Sequence, residues 1–205
     1  MSLVNLTING KAVSVPSGTK ILEAAKQVGV KIPSLCQMKI DEIGFTNECA
    51  SCRVCMVSAG RKLVPACGTM VKEGMVVNTN TPEALKYRKN VVELLLSDHP
   101  QDCYTCAKSG KCELQDLAAD MGIRKIRFKG EQSTSPIDTS SYSIVKDNDK
   151  CILCRRCETM CNQVQKVGVL SGVNRGFSTE IGTFFETDLA KTECTFCGQC
   201  INVCP

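Results

Sequence analysis

Alternation of apolar and polar residues opens the chain. Val4, Leu6 and Ile8 alternate on one side of Asn9-Gly10, and Val13 and Val15 on the other. An Asn-Gly pair between alternating runs predicts a β-hairpin, because both turn positions require positive φ. Pro16-Ser17-Gly18-Thr19 then turns the chain, and Thr19 is expected to N-cap a helix over 20–28. Ile21, Leu22, Ala25 and Val28 recur at helical spacing, with Gly29 suited to the position just past the end. MVSAGRKLVPA, after Cys55, reads as a second hairpin turning at Ala59-Gly60.

Thr81-Pro82-Glu83 opens a longer helix with a cap, an early proline and an acid in the first turn. Leu85, Val92, Leu95 and Leu96 form its expected apolar face, and it ends near Ser97. Another helix spans 112–121 and stops at Gly122. IRKIRFK (123–129) reads as a basic edge strand or connector, and GEQSTSPIDTSS marks a boundary near 130–141. SIVKD is expected to be a short strand leading into Cys151. The segment from Gln163 to Asp188 reads as strands joined by Gly-containing turns. The fold class is α+β. Its segments are a β-grasp ferredoxin-like domain at 1–80, a small helical domain at 81–122, a linker at 123–145 and a ferredoxin-like domain at 146–205.

Composition changes this picture. The 205 residues are 43% hydrophobic only because sixteen cysteines are counted, and there are six Phe, three Tyr and no Trp. Side chains alone make a thin core. Such cysteine density would signal a disulfide scaffold in a short secreted chain. The N-terminus, however, has no basic or apolar signal-peptide regions, and no 18-residue apolar run exists. Metal-bound thiolates in a reducing cytoplasm are therefore expected. Ligand binding then becomes folding free energy, and the apo chain should be largely unfolded beyond the first ~80 residues. The formal charge of +4 falls to about −3 once thiolates and metal cores are counted, so no nucleic-acid partner is expected.

The cysteines carry the chemistry. Cys151, Cys154, Cys157 and Cys161 follow C-x2-C-x2-C-x3-C, and Cys194, Cys197, Cys200 and Cys204 repeat it, closed by Pro205. This run holds pairs of [4Fe–4S] clusters: three close thiolates serve one cluster, and the fourth cysteine ligates the other. One cluster is thus assigned to Cys151, Cys154, Cys157 and Cys204, its twin to Cys161, Cys194, Cys197 and Cys200. His99, Cys103, Cys106 and Cys112 stand at H-x3-C-x2-C-x5-C. A lone histidine is ordinarily a satisfied structural residue. Here it completes a three-cysteine group, and a histidine-ligated [4Fe–4S] cluster is assigned, with zinc as competitor. Imidazole is neutral, so this centre should be the easier to reduce.

Near the N-terminus, hairpin, helix and cysteine loop follow the order of a plant-type [2Fe–2S] ferredoxin. Cys36, Cys49, Cys52, Cys55 and Cys67 offer five candidates for four positions. Cys36, Cys52, Cys55 and Cys67 are favoured, because the hairpin after Cys55 fixes the return to Cys67 and the preceding loop absorbs extra residues cheaply. Cys49 remains the alternative ligand. Arg155 and Arg156 inside the third cysteine group suit either cluster compensation or an exposed surface, with nothing in the sequence to choose between them.

The ordered set of one [2Fe–2S] and three [4Fe–4S] clusters resembles the N-terminal electron-transfer portion of [FeFe] hydrogenases. It is similar to the large iron–sulfur subunit of complex I and to NAD-dependent formate dehydrogenases. SIVKDNDKCILCRRCETMCNQVQKVGVLSGVNRGF looks most like multimeric NAD(P)-linked [FeFe] hydrogenases. The resemblance implies single-electron relay between a flavin or NAD(P)H-oxidising iron–sulfur subunit, or a ferredoxin, and a catalytic domain or subunit bearing an H-cluster. No H-cluster motif is present in these residues, so no catalytic residue is assigned. The absence of C-x3-C-x2-C argues against radical-SAM chemistry, and the absence of GxGxxG leaves nicotinamide binding to a partner. The reading from another class is a zinc-stabilised interaction module, which would be colourless where the iron protein is brown.

Overall fold

The computed structural model describes residues 2–48 and 50–205; Cys49, the alternative ligand, lies outside them. Strands β1 (Leu3–Ile8) and β2 (Lys11–Pro16) pair antiparallel across Asn9 and Gly10, whose φ values are 50° and 80°. Helix α1 (Ile21–Gln27) ends as expected at Gly29. There the Gly29 and Val30 amides donate back to Lys26 O and Ala25 O, the double bond of a Schellman motif. Its start differs from expectation. Thr19 donates its hydroxyl to Pro16 O, and Lys20 takes the cap position without a side-chain bond. Thr19 is one residue too early, and the preceding turn has already engaged it.

Two short strands, β3 (Lys39–Ile40) and β4 (Phe45–Thr46), form a ribbon ahead of the cysteine loop. Strands β5 (Met56–Ala59) and β6 (Lys62–Pro65) make the second hairpin, which turns at Gly60-Arg61, one residue later than expected. Strand β7 (Met75–Asn78) inserts between β1 and β5, parallel to β1 and antiparallel to β5. The five-stranded order is β2-β1-β7-β5-β6. Leu6, Ile8, Val15, Ile21, Leu22, Leu35, Val57 and Val77 are buried together against α1.

Helix α2 (Pro82–Asp98) is capped by Thr81, whose hydroxyl accepts from the Ala84 amide at 3.2 Å. Its buried residues are Ala84, Arg88, Val92 and Glu93, while Leu85 is half exposed. Residues 84, 88 and 92 share the i, i+4 stripe that packs on β5, which turns Leu85 outward. The basic 123–129 segment forms no strand; Arg127 returns along α2 to Glu93 at 2.6 Å and Asn90 at 2.7 Å. Helix α3 (Glu113–Asp120) begins after Cys112, which serves as its cap.

The C-terminal region has little regular structure. SIVKD forms no strand; its one ladder contact among the described residues is an isolated bridge between Asp138 and Lys146. Strands β8 (Ser171–Val173) and β9 (Glu180–Gly182) form a ribbon between the two cysteine runs. Helix α4 (Arg156–Thr159) continues into a π-helical turn over Met160–Val164, and α5 (Gln199–Asn202) follows the second run. Among the described residues, Ile144, Val169, Leu170, Ile181 and Leu189 are the buried members of this second apolar cluster, and cysteines complete it.

The cap on α2 is testable by mutation. Thr81→Ala should cost about 1 kcal/mol, whereas Leu85→Ala should stay within about 0.5 kcal/mol; urea unfolding of the loaded protein compares the two.

Candidate metal centres

Cys36, Cys52, Cys55 and Cys67 meet beneath the five-stranded sheet, all of them buried. Asn47 closes the loop after Cys36: its amide donates to Cys36 O at 2.7 Å, and its oxygen accepts from Met38 N at 2.8 Å. Arg53, between Cys52 and Cys55, takes φ 56°, which folds the two cysteines onto one side. Ala66 N donates to Cys55 O at 3.1 Å, so the second hairpin delivers Cys67 beside Cys55. Hydrogen bonds from Cys52 and Cys67 pull the Cys36 thiol far below the usual range. The bond to Cys36, then burial, pushes Cys52 up. A bond from Cys67 likewise lowers Cys55. Four thiols in mutual contact, one already poised to ionise and none in a disulfide, fit a thiolate-ligated metal group.

The repeated runs fold alike. Leu153 and Phe196, two residues after the first cysteine of each run, take φ 53° and 51°. Arg155 and Gly198, two residues further on, take φ 62° and 72°. Leu153 N then donates to Cys151 Sγ, and Phe196 N to Cys194 Sγ, both at 3.4 Å. A left-handed non-glycine residue costs about 1 kcal/mol, and such positions cluster where function requires them. All eight cysteines line one cavity of about 290 Å³ walled by Ile144, Val169, Leu170, Ile181 and Leu189. Electrostatic neighbours cross between the runs. Cys204 acts on Cys151, Cys154 and Cys157, while Cys161 joins Cys194 and Cys197 in acting on Cys200.

Burial pushes Cys154 up to about 12 and raises Cys151, Cys157, Cys200 and Cys204 as well. Bare, these thiols stay protonated; a metal must displace the protons. Eight cysteines around one apolar hollow suit sulfur-rich clusters. Among the described residues, no group of three or more His, Cys, Asp or Glu forms a site for a single metal ion.

His99 caps the C-terminus of α2, and its Nδ1 donates to Pro100 O at 2.9 Å. That bond leaves the Nε2 lone pair free to bind a metal. Cys112 Sγ accepts from Gln115 N at 3.4 Å. His99 and Cys112 both reach the cavity wall. Cys103 is exposed and Cys106 half-buried on the turns between them, and neither lines that cavity.

Three contacts between segments were not readable from motifs. Ser51 Oγ donates to Cys154 O at 3.3 Å, joining the first loop to the first run. Lys108 Nζ donates to Cys204 O at 2.6 Å, joining the His99 region to the same group of cysteines. Arg156 forms a two-pronged pair with Glu113 at 2.6 and 2.9 Å. The two adjacent arginines therefore part company: Arg155 makes a half-exposed pair with Glu158, and Arg156 is buried. Only the position of Arg156 between two cysteines hinted at this.

Comparison with known proteins places these features. Residues 2–82 match a 2Fe-2S iron-sulfur cluster binding domain, 88–127 the NADH-ubiquinone oxidoreductase-G iron-sulfur binding region, and 150–205 a 4Fe-4S dicluster domain. The NADP-reducing hydrogenase subunit HndD of Solidesulfovibrio fructosivorans is 53% identical over 100% of this chain and 35% of its own length. Across its length the chain is similar to the iron–sulfur portion of such NAD(P)-linked subunits. The mitochondrial NADH-ubiquinone oxidoreductase 78 kDa subunit of Neurospora crassa is 34% identical over 98% of this chain and 27% of its own length. A crystal structure of an NAD+-reducing [NiFe]-hydrogenase in the H2-reduced state superposes with a TM-score of 0.80 and 26% identity, over 88% of this chain and 75% of that one. The chain spans 35% or less of these two curated relatives. The three matched regions contain the cysteine groups described above.

Proposed function

We propose that this chain is a four-cluster electron conduit. The carrying observation is the burial and mutual contact of Cys36, Cys52, Cys55 and Cys67, next to a single hollow lined by both repeated runs in crossed pairs. The first four hold a [2Fe–2S] cluster on a β-grasp scaffold, the topology that the mixed β2-β1-β7-β5-β6 sheet and α1 support. His99, Cys103, Cys106 and Cys112 hold a [4Fe–4S] cluster. Cys151, Cys154, Cys157 and Cys204 hold another, and Cys161, Cys194, Cys197 and Cys200 its twin. The divisions at 80, 122 and 145 separate these units.

Bound clusters supply one-electron transfer at each centre. The chain's own residues position and insulate them. Asn47 fixes the Cys36 loop, His99 presents Nε2 through its bond to Pro100, and Leu153 and Phe196 aim amides at sulfur. Ser51 and Lys108 bring two regions onto the group of Cys154 and Cys204, which therefore stands between the other centres. We infer donors that oxidise NAD(P)H through a flavin, or a ferredoxin, and an acceptor at a hydrogenase metal centre, the H-cluster of an [FeFe] enzyme. The 53% identity to HndD supports this host. A second host, a complex I-type NADH oxidoreductase, is favoured by the match at 88–127. A formate dehydrogenase would use the same conduit.

Anaerobically purified protein should contain about 14 irons per chain with matching sulfide, from the four assigned cluster types; zinc in a colourless protein would overturn the conduit. Cys161→Ser should damage the centre of Cys194, Cys197 and Cys200 and spare that of Cys151, Cys154 and Cys157; EPR loss of the opposite centre would overturn the crossed assignment. His99→Cys should keep the iron count and lower one centre's potential, since a thiolate replaces a neutral ligand; redox-titrated EPR with every midpoint unmoved would refute it.

A further inference from the structure

Two guanidinium nitrogens are buried without a hydrogen-bond partner among the described residues: Nη2 of Arg88 and Nε of Arg156. Both side chains sit deep, with residue exposures of 4% and 8%. Burying a charge is costly unless something compensates it. Arg88, on α2, donates its Nε to the neutral carbonyl of Met56 at 2.8 Å, one residue beyond Cys55. Burial pulls its pKa down, and the Cys55 sulfur opposes that pull. Arg156, opening α4, has Glu113 on two nitrogens, yet its remaining Nε is enclosed. Its electrostatic neighbours include Cys154 and Cys36. Each orphaned donor therefore stands by a buried sulfur group: Arg88 on the Cys55 side of the four-thiol site and Arg156 on the Cys36 side.

We propose that Arg88 and Arg156 are resident counter-charges for the site of Cys36, Cys52, Cys55 and Cys67, Arg156 being shared with the neighbouring site of Cys154, and that they hold these centres' reduction potentials up. The inference rests on the cluster assignment given above. Four thiolates around a metal core leave net negative charge, and reduction adds one more. A fixed cation within the low-dielectric interior favours the more negative form, so its removal must make the centre harder to reduce. Neither arginine is a ligand; both act through position. Arg88 has no carboxylate sharing its charge in any ion pair described, so its effect should be larger than that of Arg156, which Glu113 partly neutralises.

Redox titrations followed by EPR on the full chain, loaded with iron and sulfide, test this with Arg88→Met, Arg88→Lys, Arg156→Met and Arg156→Lys. Arg88→Met should cut the reduced-to-oxidised ratio of the [2Fe–2S] centre about tenfold at the wild-type midpoint, a shift of about 59 mV for one electron. The [4Fe–4S] midpoints should stay in place. Arg156→Met should lower the [2Fe–2S] midpoint and one [4Fe–4S] midpoint together, each by less. The Lys variants, which keep the charge, should recover most of each shift. Equal midpoints in the Met and Lys variants, or loss of the [2Fe–2S] signal from both Arg88 variants, would show that shape and not charge matters, and would overturn the proposal. A wild-type chain without iron would remove the cluster assignment as well; iron-replete protein with unmoved midpoints would remove this inference alone.

Discussion

Sulfur crowding without sulfur bonding is the constraint on which this structure depends. Fifteen described cysteines form no disulfide, yet the thiols of the first site touch one another and eight more surround one hollow. Burial pushes Cys151, Cys154, Cys157, Cys200 and Cys204 toward the protonated thiol. Only a cation of high charge at the centre of each group reconciles burial with thiolate character. The backbone is shaped to the same end. Left-handed residues at 153, 155, 196 and 198 recur in register because each run must wind tightly enough for sulfurs three residues apart to face one point.

The same constraint explains how unevenly the core is distributed. Beneath the N-terminal sheet, apolar side chains pack densely around the first cysteines. The C-terminal cluster has five buried apolar residues among those described, with cysteines from both runs packed on it. Side-chain burial contributes roughly 1.5–3 kcal/mol for each large aliphatic residue. A set this small offsets little of the ordering entropy of the segment that carries both runs. The metal-bound loops must make up the difference.

What was legible in the sequence was local. Asn9-Gly10 specifies its hairpin because the turn's φ values are carried by those two residues, and Thr81-Pro82-Glu83 specifies a helix start through one hydrogen bond three residues long. The cysteine spacing is local in the same sense: residues separated by two are arranged by their own loop, as the matching left-handed turns of the two runs show. Thr19 failed as a cap because the turn before it engaged its hydroxyl. A helical period gives a stripe without saying which neighbour the stripe meets, so it places Leu85 inward, whereas β5 meets the side carrying Arg88 and Val92. The least legible residues are those whose partners lie far along the chain. Arg156 to Glu113, Lys108 to Cys204 and Ser51 to Cys154 bridge 43, 96 and 103 positions, and no periodicity encodes a pairing of that length.

These long-range contacts bear on why the segments occur together. Each of the three lands on the cysteine group of residues 151–157 and 204 or on the arginine within it, so the first loop and the His99 region share one neighbour. Relatives named for a hydrogenase and for a ubiquinone oxidoreductase both match 98% or more of this chain while extending well past it in length. The matched stretch therefore recurs in proteins named for different reactions. That is expected if the layout serves transfer and the chemistry is supplied elsewhere, since function resides in sites and not in folds. The proposed conduit would be constrained at its internal junctions, where charge and backbone must hold each sulfur group against the next.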